Sequence, residues 1–325
     1  MIYQHLRFCL LFLFLWSALS LLGQKREMLL RKADYLMRVG QDSASWQLLE
    51  KLAQENKGDE NSRFLAQLIA QKADWYYYHT NYDTSFILSK QSLEYAQKYE
   101  LKELVPRLML QAGEHALRKF DYDQVLDYCS KAKELAKKQE QEIIVQRCDI
   151  CLSEALHIYY ADATGDAFLE ESLAPFRRSL PNILESGDTS IYIRYFLRYT
   201  DIFRLTGKVD SIQLLINHID QIMEQYPDYR YMAASMIMKA ILAHEKNEVD
   251  RIHYYLTEAL AFSKRLNIPK TTQHYYYRLF EHFFNDRNEY QQALIMLDSA
   301  TEVKGGLAQF DQEVHYYHVY RALEN

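Results

Sequence analysis

Helix-breaking residues are scarce in this chain, with 9 Gly and 5 Pro among 325 residues. An average globular chain carries roughly 7% Gly and 5% Pro, so the scarcity points to long, uninterrupted helices. Sustained two-residue alternation of apolar and polar side chains is also missing, which argues against a sheet. Basic and acidic residues number 38 and 44 and are well mixed, for a formal net charge of -6. No run of basic residues reaches the roughly 5–8 of a nucleic-acid patch. Nucleic acid is therefore not an expected partner of this segment, and the mixed charges read as solvated helix faces.

Motifs that carry chemistry are missing as well. His244-Glu245 begins like a zinc-protease helix, but position 248 is Glu where the second His is required. Gly305-Gly306 stands alone, so there is no glycine-rich phosphate loop, and no Ser sits in a nucleophile elbow. The 11 His are scattered; His274 with His282, and His315 with His318, share helical stretches but have no third ligand nearby. No catalytic residue, metal site or cofactor is expected. An enzyme on a helical toroid is the competing class, and the lack of a catalytic cluster weighs against it.

The N-terminus has the pattern of a processing signal. His5 and Arg7 precede an apolar run from Phe8 to Trp16, and small residues follow at Ala18, Ser20 and Gly23. This pattern predicts a secretory signal peptide over residues 1–23, cleaved after Ser20 or Gly23, and an exported, periplasmic or extracellular protein. Membrane association is expected only if the segment is retained as an anchor; its apolar run is short of the roughly 20 residues of a span. Three cysteines lie beyond it: Cys129, Cys148 and Cys151. An odd count does not make a complete disulfide framework. Small buried packers are the expected role, with one bridge from Cys129 to Cys148 or Cys151 as the alternative.

What the chain does have is a period. Tyr82, Tyr122, Val209, Val249 and Tyr290 each open a similar stretch, and the gaps between them are 40, 87, 40 and 41 residues. The gap of 87 is two units. A fixed spacing in this range marks a solenoid of one stacked supersecondary unit. Three residues on come Ser85, Val125, Ile212, Ile252 and Ala293; seven on, Ser89, Cys129, Ile216, Leu256 and Leu297; ten on, Ser92, Ala132, Ile219, Ala259 and Ala300. Offsets of 3, 7 and 10 share one helix face. Nine residues before each start stand Ala73, Gly113, Thr200, Ala240 and Glu281. Four of these are small, as a close helix crossing needs. Each unit is therefore predicted to be two antiparallel helices joined by a short turn. Asn81, Gly207, Asn247 and Asn288 lie in those turns and suit a left-handed helix end.

Small at the eighth position, aromatic at the seventeenth and Ala at the twentieth and twenty-seventh resembles the tetratricopeptide repeat. Asn288-Glu289-Tyr290-Gln291-Gln292-Ala293 with Ala300 carries the resemblance best, then Phe120-Asp121-Tyr122-Asp123-Gln124 with Gly113 and Ala132. The departures are a period near 40 in place of the family's about 34, and no terminal Pro or early Trp. The implied fold is all-α: an α-α superhelix over residues 24–325, of about seven helix pairs plus one terminal helix. Pro175 and Pro181 should disturb the pair between residues 140 and 209.

In the family that this chain resembles, the first helix of each pair lines the concave surface through positions 2, 5, 9, 12 and 13. That register implies a groove formed by Gln67, Asp74, Tyr77, Tyr78, Arg107, Glu114, Arg118, Arg194, Asp201, Arg204, His244, Tyr275, Arg278 and His282. The set mixes aromatic rings with Arg, which suits a protein or peptide ligand. The chain holds 27 Tyr against 15 Phe, and most are expected to pack between helices with the hydroxyl reaching water. The expected function is a non-enzymatic exported scaffold binding a protein or peptide. The alternative is the sensor region of a membrane-bound signalling or transcriptional regulator, truncated here. Leu307–Asn325 is predicted to form one amphipathic helix whose stripe (Leu307, Phe310, Val314, Tyr317) needs cover from a further unit, a back-fold or self-association.

Overall fold

The computed structural model describes residues 23–57, 62–79, 81–119, 121–159, 193, 209–225, 228–265, 277–278, 280–281, 283–285 and 287–304. Those residues are helical, with short turns between helices and no strand among them. The chain runs through α1 (residues 23–38), α2 (Asp42–Glu55), α3 (Ser62–Tyr78), α4 (Tyr82–Lys98), α5 (Val105–Leu117), α6 (Tyr122–Lys138) and α7 (Glu142–Tyr159). It continues through α8 (Val209–Gln225), α9 (Tyr229–Glu245), α10 (Val249–Arg265) and α11 (Tyr290–Lys304). The expected segments at residues 1–22 and 307–325, and Pro175 and Pro181, lie outside the described residues.

The recurring Tyr or Val is the first residue of the second helix in every described unit. Local chemistry fixes that start. Asn81 and Asp121 cap α4 and α6, accepting from Thr84 N at 3.2 Å and Gln124 N at 3.3 Å. Such caps satisfy donors that the first turn leaves without partners. Asp83, Asp123, Asp210 and Asp250 follow in the first turns of α4, α6, α8 and α10, where the helix dipole favours negative charge. These four helices are each 17 residues long, about 25 Å at 1.5 Å per residue.

Side chains at offsets 3, 7 and 10 fill the seam between helices. Val125, Cys129 and Ala132 on α6 are buried completely, as are Ile212 and Ile219 on α8 and Ala259 on α10. Gly113, Ala240 and Ala300 are buried too, at the crossings that need small residues. A Cβ built on Gly113 would come within 2.5 Å of Cys129 Sγ, so α5 and α6 touch at this point. Leu297 departs from the pattern: it is exposed on α11, the last described helix.

Two expectations are corrected. Asn81 has φ -84° and acts as a cap, so the left-handed turn residue is found only at Asn247 (φ 56°) and Asn288 (φ 61°) among the Asn positions. No disulfide joins Cys129 to Cys148 or Cys151: all three are free and buried in the core between α5, α6 and α7.

Candidate functional site

Among the described residues, the pairs that contain α3, α5 and α7 meet directly through these first helices. Helix α3 touches α5 and α5 touches α7, while the second helices α4 and α6 lie further apart. The layer of first helices is therefore the tighter, inner side of the curve. Its described surface is built mainly on α5 and its C-cap: residues 107, 111, 114 and 118 recur at helical spacing, with Gln111 and Arg118 bonded towards α3 and Glu114 towards α7.

Towards α3, Gln111 Nε2 donates to Asp74 Oδ1 at 2.7 Å and to the Ala70 carbonyl at 2.8 Å. His115 is buried beside it. Its Nε2 lies 3.4 Å from Asp74 Oδ1, its Nδ1 lies 2.8 Å from Ser85 Oγ, and its ring stacks on Tyr77 with centroids 4.7 Å apart. Arg118 Nε donates to the Tyr77 hydroxyl at 3.0 Å. Towards α7, Arg147 Nη2 donates to both carboxylate oxygens of Glu114, at 3.0 and 2.8 Å.

Burial of Asp74 works to raise its carboxyl pKa. The hydrogen bond and charge of His115, the hydrogen bond from Gln111 and the charge of Arg107 outweigh burial and hold it below the usual carboxylate value. The thiols behind this face are pushed the other way. Cys129 is raised well above the thiol range by its hydrogen bond with Cys151 and by burial, and Cys148 by burial first and by Cys151 next. Both are neutral packers under ordinary conditions. Among the described residues no group of three or more His, Cys, Asp or Glu is placed to hold a metal ion.

The structure thus brings Asp74, Tyr77, Tyr78, Arg107, Glu114 and Arg118 to one connected face, and Gln67 lies half-buried earlier on α3. Tyr78 meets Tyr77 edge to face at 5.4 Å. His244 is exposed in the last turn of α9, and Arg278 pairs with Glu281 at 2.9 Å; both belong to later units. Arg194, Asp201, Arg204, Tyr275 and His282 lie outside the described residues. The family register passes over Gln111, His115 and Arg147. Gln71 and Gln111 stand 40 residues apart, and that recurrence was the available signal for the first of them.

No protein-family model matches the chain, and no curated protein matches it. Solved structures do share the fold. A Rap protein complexed with competence and sporulation factor is 14% identical, with 84% of this chain and 73% of that chain covered and a TM-score of 0.66. A Rap conjugation gene regulator of the plasmid pLS20, in complex with the Phr peptide, is 11% identical, with 87% and 76% covered and a TM-score of 0.65. Aspartyl phosphate phosphatase F from Bacillus subtilis is 13% identical, with 84% and 68% covered and a TM-score of 0.60. The chain is an all-α superhelix of tetratricopeptide-like helix pairs, similar to these proteins in fold.

These neighbours overturn the expectation of an exported, periplasmic or extracellular protein. One is by its own description a regulator of conjugation genes, and genes are not reached from outside the membrane. Among the described residues no helix is long and apolar enough to cross a membrane.

Proposed function

We propose that this protein is a peptide-binding scaffold that receives an extended peptide or protein segment on its layer of first helices and performs no reaction of its own. The observation that carries the reading is the connected face of Asp74, Tyr77, Gln111, Glu114 and Arg118. Hydrogen bonds to side chains and backbone hold these groups in place before any ligand arrives. Preorganised aromatic and guanidinium groups are what a peptide site uses, because little side-chain entropy is lost on binding. A signalling role, with peptide occupancy as the input, suits this arrangement: one neighbour of the same fold is a gene regulator in complex with a peptide.

The test is selection of binders from a random-peptide display library on the whole chain, followed by calorimetric titration of the enriched peptides. Binding should be saturable, and Tyr77→Ala should weaken it while the helical circular dichroism is kept. Failure to enrich any peptide, or binding indifferent to Tyr77→Ala and Asp74→Ala alike, would contradict the proposal.

A further inference from the structure

His115 is 2% exposed, and oxygen atoms stand against both of its ring nitrogens. Nδ1 lies 2.8 Å from Ser85 Oγ and 3.3 Å from the Ser85 carbonyl oxygen. Nε2 lies 3.4 Å from Asp74 Oδ1. A neutral ring fits this setting in one tautomer: the Ser85 hydroxyl donates to Nδ1, and the ring N–H sits at Nε2, towards Asp74. A ring with a second proton fits as well. Nδ1–H then donates to Ser85 Oγ or to the carbonyl, and the positive ring pairs with Asp74. Only the hydroxyl has to turn, so neither state strands a buried polar atom of the ring. Ser85 is completely buried, so this chain of three groups offers no nucleophile to a substrate.

Asp74 is the charge that such a proton meets. The other charged groups around the ring are engaged elsewhere. On α4, Asp83 pairs with Lys119. On α5, Glu114 is held by Arg147 of α7, and Arg118 is bonded to the Tyr77 hydroxyl in the field of Glu154 on α7. On α6, Asp121 caps its own helix, while Val125 and Cys129 join the apolar core behind α5. Tyr77 stacks on the ring, Tyr82 lies beside Tyr77, and Arg107 acts on Asp74 itself. Asp74 is also where the cluster reaches solvent, with its side chain 37% exposed. Its Oδ1 carries the contacts with Gln111 and His115, and Oδ2 has none among the described residues. A peptide presents main-chain N–H donors whatever its side chains are, and a carboxylate oxygen accepts from them.

We propose that His115 is a proton-operated control on the binding face: a second proton on its ring offsets the charge of Asp74 from within the helix layer and weakens Asp74 as an acceptor for bound peptide. The proposal rests on the peptide-binding reading and adds regulation by pH to it. Imidazole is the side chain suited to such a role, because it changes charge in mildly acid solution. Asp74 is held below the usual carboxylate value, so it stays ionised there. Affinity falls as the solution is acidified through protonation of the ring. The fall is about two- to fivefold, since water screens a partly exposed pair.

The experiment uses the full chain and a library-enriched peptide resynthesised with blocked termini and without His. Nitrogen NMR of the His115 ring reports its tautomer and charge, and calorimetry reports affinity at the same pH values. The ring should start with its proton on Nε2 and gain the second while the chain is folded. Affinity should fall over the same pH interval, and His115→Gln should abolish that step. Should that variant not fold, Asp74→Asn takes its place: it removes the charge that the proton offsets, so binding should be weaker and flat over the interval. A ring that takes no second proton before unfolding, an affinity that is flat or rises on acidification of the parent, or a step that survives either variant would overturn the control and leave peptide binding standing. If no peptide binds at all, both fall.

Discussion

Gln111 donates from its side-chain amide to the main-chain carbonyl of Ala70, 2.8 Å away on the first helix of the preceding pair. Gln71 does the same one pair earlier, reaching the Leu30 carbonyl at 2.7 Å. Ala70 and Leu30 are themselves 40 residues apart, so the same link is made twice at the period of the repeat. It ties the first helices into a layer and holds Asp74 in place.

Removing the link should loosen that layer. Gln111→Ala strips a hydrogen bond from Asp74 and one from the Ala70 carbonyl, and should cost about 1–3 kcal/mol. Gln71→Ala removes one bond at a half-buried site and should cost roughly 0.5–1.5 kcal/mol. Urea denaturation with an unchanged slope is the measurement.

The contact of α5 with α6 at Gly113 gives a second expectation. Gly113→Ala places a Cβ 2.5 Å from Cys129 Sγ, a distance that one atom or the other must relieve. The cost should be about 1–3 kcal/mol by overpacking. In a Cys129→Ala background the sulfur is gone and the same change should cost less. Equal costs in both backgrounds would show that the crossing is not set by this pair.

Glu114 and Arg147 join α5 to α7. The carboxylate is nearly buried while the guanidinium is about one-third exposed. Arg147→Met should cost about 2–3 kcal/mol, less than the roughly 3–5 of breaking a fully buried pair, because water can reach one side. Glu114→Gln in the same background should recover part of the loss, since it removes the stranded charge.

Stability should respond to pH at both ends. The folded-state pKa of Asp74 is depressed, so its contribution is present above the unfolded value of about 3.9 and is lost as pH falls below it. Asp74→Asn should flatten that acid limb. Cys129 and Cys148 have raised folded values. Their contribution is present below the unfolded thiol value of about 8.5 and is lost as pH climbs past it. Urea midpoints from pH 3 to 10 test both, and the native thiols should react with Ellman's reagent only on unfolding.

The architecture was legible because it repeats. Tyr82, Tyr122, Val209, Val249 and Tyr290 start helices, and the small residues Gly113, Ala240, Ala259 and Ala300 are buried, because a stacked unit imposes the same packing demand every time. The proposed binding face was legible only in part. Asp74, Arg107, Glu114 and Arg118 come from the concave-surface positions of the repeat family that the chain resembles, whereas His115 and Arg147 matter through contacts with other helices, which no local pattern announces, and Gln111 is signalled only by its recurrence 40 residues after Gln71. Asn81 was misread as a left-handed turn because Asn serves both as helix cap and as turn residue, and only the backbone angle separates the two. The N-terminal pattern predicted export, and the neighbours in fold overturned it.

Amide hydrogen exchange on the whole chain, with and without a library-selected peptide, tests most directly where the ligand sits. Ligand on the inner layer should slow exchange in Ser62–Tyr78, Val105–Leu117 and Glu142–Tyr159, the first helices of three successive pairs. Tyr82–Lys98 and Tyr122–Lys138, the second helices between them, should change little. Protection confined to the second helices, or no change anywhere at saturating peptide, would contradict the account.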